Sequence, residues 1–139
     1  MSKSMKWAIR MLQVADLYSS WSKDPDHQVG AVITTTDNRL VSAGYNGFPR
    51  GVEEVGAGLK LFSVVHAEVN AIVNARCPIR GMTMTVTRRP CAQCAAMIIQ
   101  AGIKVLVTRP FEVESKWYRS CRIGSKMMQD QGVYLIVIS

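Results

Sequence analysis

Two short motifs constrain this chain more than any other feature: His66-Ala67-Glu68 and, further along, Pro90-Cys91-Ala92-Gln93-Cys94. One imidazole and two thiolates form a ligand set that holds zinc and leaves its fourth position open. The carboxylate two residues after the histidine is placed to move protons at that open position. The two motifs together predict a hydrolytic zinc site.

The spacing of the cysteines supports metal binding. Cys91 and Cys94 are predicted in the first turn of one helix, where side chains three residues apart project from one face. The helix N-terminus also lowers thiol pKa and so favours the thiolate that zinc requires. A lone Cys-x-x-Cys is weak evidence because redox pairs and structural zinc sites share it. In conjunction with His-x-Glu it is a known signature of zinc-dependent nucleobase deaminases.

The open zinc position determines the expected chemistry. Zinc lowers the pKa of bound water from 15.7 to roughly 7, so a zinc-bound hydroxide is available to attack an amidine-like carbon. Glu68 would relay the water proton to the ring nitrogen and then to the departing amine. The products of this hydrolysis would be ammonia and a carbonyl.

Taken alone, His66 would more often be a hydrogen-bonded histidine, and Glu68 a solvated helix residue.

Composition sets wider limits. A chain of 139 residues with 48% apolar and 19% charged residues fits a single globular domain over residues 1–139. No secretory signal is visible and the close cysteine pair has metal spacing, so we expect a reducing cytoplasm. The longest apolar run, residues 133–138, is far shorter than the roughly 20 residues of a membrane-spanning helix, so we expect no membrane partner. The net charge of +7 favours anionic partners without choosing among them.

Hydrophobic periodicity predicts alternating helices and strands after an initial hairpin. The predicted helices are residues 4–21, about ten residues from His66 to Cys77-Pro78, 91–101 and 119–131. The predicted strands are 29–33, covered on both faces; a second from residue 40, after a turn at 37–38; 82–86, half-buried; 103–107; and 132–138, buried. Residues 44–51 read as a glycine-rich loop whose glycines permit unusual backbone angles, and 52–61 connect onward. This order indicates a layered α/β domain with a mixed five-stranded sheet.

Beyond the zinc motifs, five stretches closely resemble the deoxycytidylate (dCMP) deaminases of the cytidine deaminase-like superfamily. They are Trp21-Ser-Lys-Asp-Pro25, Gln28-Val-Gly-Ala31, Gly44-Tyr-Asn-Gly-Phe-Pro49, His66-Ala-Glu-Val-Asn-Ala-Ile72 and Ile99-Gln-Ala-Gly-Ile103. The zinc motifs define only the superfamily. The Ser-Lys-Asp-Pro and Gly-Tyr-Asn-Gly stretches indicate the dCMP branch.

The resemblance implies hydrolysis of dCMP to dUMP and ammonia in a three-layer α/β/α sandwich that assembles as a homohexamer. His66, Cys91 and Cys94 would bind Zn²⁺, and Glu68 would be the proton shuttle. The Ala67 backbone would contact the base, while the Asn46 side chain, read alone simply part of a turn, would hold the deoxyribose 3′-hydroxyl. Activation by dCTP and inhibition by dTTP with Mg²⁺ are implied at a second site near Lys23, Asp24, Asn46, Gly47 and Arg50.

The substrate phosphate requires cations or donors at the mouth of the site. The candidates precede the Pro-Cys motif or follow the fourth strand: Arg88, Lys116, Tyr118 and Arg119. Each of them could equally belong to a solvated basic surface. Trp117 is either an aromatic lid or ordinary loop packing. Arg88-Arg89 departs from the uncharged or aromatic pair usual before Pro-Cys in the family. Cys77 and Cys121 are expected in the core.

Two other functions remain open. A tRNA adenosine deaminase shares both zinc motifs and would use the positive charge for RNA. The Gly-Tyr-Asn-Gly-Phe-Pro loop and Asn70 fit the nucleotide branch better, so we expect no nucleic-acid partner. The other alternative is a non-catalytic nucleotide-binding domain with structural zinc, which would have no need of Glu68.

Overall fold

The structure is a computed structural model that describes residues 2–52 and 63–139, so most of the predicted connection 52–61 lies outside the described residues. The helices are α1 Lys3–Ser19, α2 Ala67–Asn74, α3 Ala92–Gln100 and α4 Tyr118–Asp130. The strands are β1 Gly30–Thr34, β2 Leu40–Tyr45, β3 Thr83–Val86, β4 Val105–Thr108 and β5 Tyr134–Val137. The predicted elements are thus confirmed, with shifts of a few residues at their ends.

The strands form one mixed sheet in the order β2-β1-β3-β4-β5. β1 is antiparallel to β2 and β3, whereas β3, β4 and β5 are parallel. The start of β1 and the end of β2 therefore lie at the same edge as the carboxyl ends of β3 and β4. Ligand sites in α/β sheets form outside the carboxyl ends of the strands, so this edge is the expected place for the functional site.

Helices cover both faces of the sheet. α1 packs against β1, β2 and β3 on one face, through a buried stripe at Ala8, Leu12 and Ala15. The opposite face belongs to a hydrophobic core shared with α2, α3 and α4, whose buried members include Ile33, Met84, Leu106, Ala71, Ile98 and Met128. The predicted three-layer α/β/α sandwich is confirmed.

Two glycines let helices approach the sheet closely. A Cβ at Gly30 would lie 1.9 Å from the carbonyl oxygen of Ala15 in α1. A Cβ at Gly44 would lie 2.6 Å from the backbone nitrogen of Ala71 in α2. Real Cβ atoms do not approach backbone so closely, so any larger residue would push the helix away from the sheet.

Burial differs from the prediction in two strands. β3 is not half-buried: Thr85 is as buried as Met84, because this strand lies in the centre of the sheet with helices on both faces. β5 is not buried: Tyr134 is 66% exposed and Val137 41% exposed. β5 is the edge strand, and α4 packs mainly on α3 rather than over it.

The two cysteines outside the zinc motif have different environments. Cys121 is buried, as predicted, and its thiol donates to the carbonyl oxygen of Arg89 at 3.3 Å. The prediction for Cys77 is wrong: it is exposed, because α2 already ends at Asn74 and the chain leaves the core before Cys77. No helix in residues 2–52 and 63–139 is long and apolar enough to span a membrane.

Candidate metal centre and active site

Two helix N-termini bring the predicted zinc ligands together. His66 is the N-cap of α2 and Cys91 is the N-cap of α3, where Cys94 lies in the first turn. The Nδ1 atom of His66 lies 3.2 Å from Sγ of Cys94 and 3.6 Å from Sγ of Cys91. All three donor atoms lie within 4.8 Å of one another.

The donor set fits zinc. With Zn–N near 2.0–2.1 Å and Zn–S near 2.3 Å, tetrahedral geometry places nitrogen and sulfur ligands about 3.6 Å apart. The two nitrogen–sulfur distances in the structure, 3.2 and 3.6 Å, are close to that value. A histidine and two cysteines supply three ligands, so a fourth position would remain open, as in catalytic rather than structural zinc sites.

The thiols are polarised by their neighbours. A hydrogen bond from the Cys94 thiol lowers the pKa of Cys91 to about 4. The same hydrogen bond raises the pKa of the donor, Cys94, and burial raises it further. The hydrogen bond to Cys91 raises the pKa of the His66 imidazole. The side chains therefore hold a thiolate next to a proton that an incoming metal ion can displace.

Glu68 is buried beside these ligands in the first turn of α2. The residue is only 4% exposed, and burial raises the pKa of its carboxyl group to about 7. A carboxyl group with a pKa near the operating pH can both accept and donate a proton. A solvated helix carboxylate would have no such property, so the structure favours the functional interpretation of this residue.

A cavity of about 530 Å³ opens above the centre, large enough for a nucleotide-sized ligand. His66, Glu68 and Cys91 line it, together with Ala67, which is fully buried. The remaining walls come from residues that precede β1 or follow β2, β3 and β4. The cavity therefore lies at the sheet edge where those strand ends meet.

Asn46 lines this cavity but also holds the loop before β1. Its Oδ1 accepts from the backbone N–H of Val29 at 2.8 Å, and its Nδ2 donates to the carbonyl oxygen of His27 at 2.7 Å. The carbonyl oxygen of Asn46 accepts from the Ser22 hydroxyl at 2.9 Å. In the side-chain amide, Oδ1 can accept one more hydrogen bond and Nδ2 can donate one more.

Three of the four predicted phosphate-binding residues line the cavity: Arg88, Lys116 and Tyr118. Arg119 is exposed and is not among the described residues that line the cavity. Successive helical residues point about 100° apart, so Tyr118 and Arg119 at the start of α4 face different directions.

Arg89 has a structural role that its position next to Arg88 does not reveal. Its Nε donates to the carbonyl oxygen of Arg109 at 2.9 Å, and its Nη1 donates to the Ser125 hydroxyl at 3.1 Å. Its guanidinium lies 3.8 Å from the centre of the Phe111 ring. These contacts tie the Pro-Cys segment to the loop after β4.

Sequence reasoning missed His27 and Glu112 and left Trp117 undecided. All three line the cavity. The Trp117 ring lies 5.9 Å from the His66 ring, edge to face, and 6.2 Å from the His27 ring. Trp117 is therefore a wall of the site rather than remote loop packing. Their position in the chain could have identified them: His27 precedes β1, whereas Glu112 and Trp117 lie in the segment after β4, and these strand ends meet at this edge.

Of the residues predicted for an effector site, Asp24 and Asn46 line the cavity. The Asp24 Oδ1 accepts from the backbone N–H groups of Asp26 and His27. Lys23 and Arg50 are exposed. Gly47 is bound to Val65 through two backbone hydrogen bonds of 3.1 and 2.8 Å.

The family model for the cytidine and deoxycytidylate deaminase zinc-binding region matches residues 5–109, which is more than half of the chain. The chain belongs to this family. The match includes His66, Glu68 and both clustered cysteines.

Relatives and solved structures agree with that assignment. The chain is 43% identical over 135 residues to an uncharacterized deaminase in the luxG 3′ region of Aliivibrio fischeri, covering 92% of this chain and 90% of the relative. It is 40% identical over 114 residues to the deoxycytidylate deaminase of Mus musculus, covering 74% of this chain but only 64% of the mouse protein. The crystal structure of the cyanophage S-TIM5 dCMP deaminase in complex with dCMP and dUMP superposes with a TM-score of 0.82, at 29% identity and 99% coverage of both chains.

Proposed function

We propose that this protein hydrolyses dCMP to dUMP and ammonia. The observation that carries the proposal is the buried Glu68 carboxyl, which lies beside the cluster of His66, Cys91 and Cys94 in a nucleotide-sized cavity. The choice of dCMP is supported by the mouse relative, a deoxycytidylate deaminase, and by the cyanophage neighbour, whose structure holds dCMP and dUMP.

The side chains divide the chemistry between them. His66, Cys91 and Cys94 would hold the zinc ion, which supplies Lewis acidity and lowers the pKa of a bound water toward neutrality. Glu68 would accept a proton from the attacking water and return protons to the ring nitrogen and to the departing amine. The carbon–nitrogen bond to the amino group breaks and a carbonyl forms, so water and dCMP become dUMP and ammonia.

Substrate binding is assigned to the cavity walls. We place the cytosine near the Ala67 backbone and Trp117, and the deoxyribose near the Asn46 side chain, which has remaining hydrogen-bonding capacity. The phosphate would lie at the mouth near Arg88, Lys116 and Tyr118. Arg119 is the weakest of the four phosphate candidates because it lies outside the described cavity lining.

Regulation and assembly extend the proposal by family resemblance. We propose one domain over residues 1–139, a cytoplasmic homohexamer in pyrimidine nucleotide metabolism, activated by dCTP and inhibited by dTTP with Mg²⁺. The position of Asp24 in the cavity lining supports an effector site that communicates with the active site. Native mass measurement tests the hexamer, and dCMP turnover with and without each triphosphate tests the regulation.

The deciding experiment compares three substrates with zinc-loaded protein. Ammonia release from dCMP, with none from a tRNA anticodon stem, is the expected result; deoxycytidine should react more slowly because it lacks the phosphate. Release from the tRNA stem alone would make the protein an adenosine deaminase. Bound zinc without ammonia release from any cytosine nucleotide would favour the non-catalytic alternative. Glu68→Gln should retain zinc and lose turnover.

A further inference from the structure

Arg88 joins three segments at the mouth of the cavity. Its Nη1 donates to Oε2 of Glu112 at 2.9 Å and lies 3.2 Å from Nδ1 of His27. Arg88 follows β3, Glu112 follows β4 and His27 precedes β1, and all three line the cavity that contains Glu68. Arg88, the arginine among the proposed phosphate ligands that line the cavity, is therefore already engaged by a carboxylate of the protein.

Of the two Arg88 contacts, the ion pair with Glu112 is the one that a phosphate can replace. The Arg88 side chain is 32% exposed and the Glu112 side chain 54% exposed. Ion pairs at such positions change an equilibrium constant by about fivefold or less, since solvent screens them. The carboxylate can thus leave the guanidinium at little cost.

The contact with His27 keeps Arg88 at the mouth when the carboxylate leaves. Burial, and then the charge of Arg88, lower the pKa of His27, so the imidazole is neutral near pH 7 and Nδ1 can accept from the guanidinium. Among the described residues, both side-chain contacts of Arg88 use Nη1. A guanidinium has five N–H donors, so Nη2 and Nε can take two oxygens of a phosphate.

We propose that Glu112 is a specificity-determining residue, whose carboxylate occupies Arg88 in place of the substrate phosphate and competes with it. This inference rests on the proposed function, because it concerns the phosphate of that substrate. A nucleoside monophosphate must displace the Glu112 carboxylate, whereas a nucleoside has no group that competes for Arg88.

Glu112 could either weaken phosphate binding by competing for Arg88 or strengthen it by holding Arg88 in place, and the expected energies favour competition. A phosphate monoester carries nearly two negative charges at pH 7. At a separation of about 6 Å, and even with the dielectric constant of water, its repulsion by one carboxylate is worth about tenfold in affinity. Holding Arg88 in place through an exposed ion pair is worth about fivefold or less. Removal of the Glu112 charge should therefore tighten binding of the monophosphate.

Glu112→Gln tests the proposal in the zinc-loaded protein. We expect the KM for dCMP, and the Kd for dUMP by calorimetry, to fall about three- to tenfold, with kcat changed by less than about twofold. The kcat/KM for deoxycytidine should not change. Glu114→Gln is the matched control, because it removes an exposed carboxylate from the same loop and outside the described cavity lining. Glu114→Gln should leave the KM for dCMP and the Kd for dUMP within about twofold of the parent protein, since solvent screens distant charges.

A double variant makes the test specific for the pair. Arg88→Ala should raise the KM for dCMP, and Glu112→Gln should bring little further gain in that background. An unchanged or higher dUMP Kd in Glu112→Gln, or an equal gain with and without Arg88, would overturn the inference. If dUMP binds more tightly to Glu112→Gln while no variant deaminates dCMP, the proposed reaction fails and the competition stands. If the parent protein does not bind dUMP, both fail.

Discussion

Burial of Glu68 should make the metal-stripped protein less stable than its Glu68→Gln variant at neutral pH. Burial raises the pKa of Glu68 from an ordinary value of 4.5 to about 7, so the folded state opposes ionisation. Between those two pH values the folded protein binds more protons than the unfolded chain, and stability falls as pH rises. A tenfold change in acidity is worth about 1.4 kcal/mol, so the cost above pH 7 is at most about 3 kcal/mol.

Chemical denaturation of chelator-treated protein from pH 4 to pH 8 measures this cost. We expect the two proteins to have similar free energies of unfolding below pH 4.5, and Glu68→Gln to exceed the parent by up to about 3 kcal/mol at pH 8. Glu114→Gln removes an exposed carboxylate and serves as the control, with no comparable divergence. Zinc should shrink the difference, because a nearby cation favours the carboxylate. If both proteins show the same pH dependence, Glu68 is not buried as an ionisable group, and its proposed role loses its physical basis.

Three further substitutions, one of them with a matched control, test other parts of the structure. Cys94→Ser should lower zinc content and turnover together, as metal analysis of the purified protein would show; full zinc occupancy would contradict the ligand assignment. Gly30→Ala should cost about 3 kcal/mol of unfolding free energy because its Cβ meets the α1 backbone, whereas Gly47→Ala has open space and should be nearly neutral in denaturant unfolding. Asn46→Ala should cost about 1–3 kcal/mol in the same measurement, because the buried N–H of Val29 loses its acceptor; an unchanged stability would show that Asn46 does not hold this loop.

Local sequence patterns were sufficient to predict the elements and the metal cluster. The helix starts at His66 and Cys91 follow from short-range signals, and the cluster follows because both starts lie at one edge of the sheet. Burial of individual strands was not predictable in the same way. The apolar run in β5 and the alternation in β3 are local patterns, whereas exposure depends on each strand's place in the sheet order.

The walls of the cavity depend on contacts between distant segments. His27 and Glu112 meet at Arg88 only because residues before β1 and after β4 converge there, and no spacing within the sequence encodes that convergence. The need for glycine at position 44 also depends on a distant segment, because the residue packs against α2. The glycine-rich loop was predicted to need unusual backbone angles, and Gly51 has one, with φ of +79°; Gly44 instead is required for space against α2.

Ammonia release from dCMP by zinc-loaded protein, measured beside its Glu68→Gln variant at equal zinc content, tests the central claim most directly. We expect dUMP and ammonia in equal amounts from the parent protein, and a loss of at least about a hundredfold in turnover for the variant, since general acid–base groups contribute that much. Near-parental turnover by Glu68→Gln, or a fully zinc-loaded parent protein without activity toward dCMP, would contradict it.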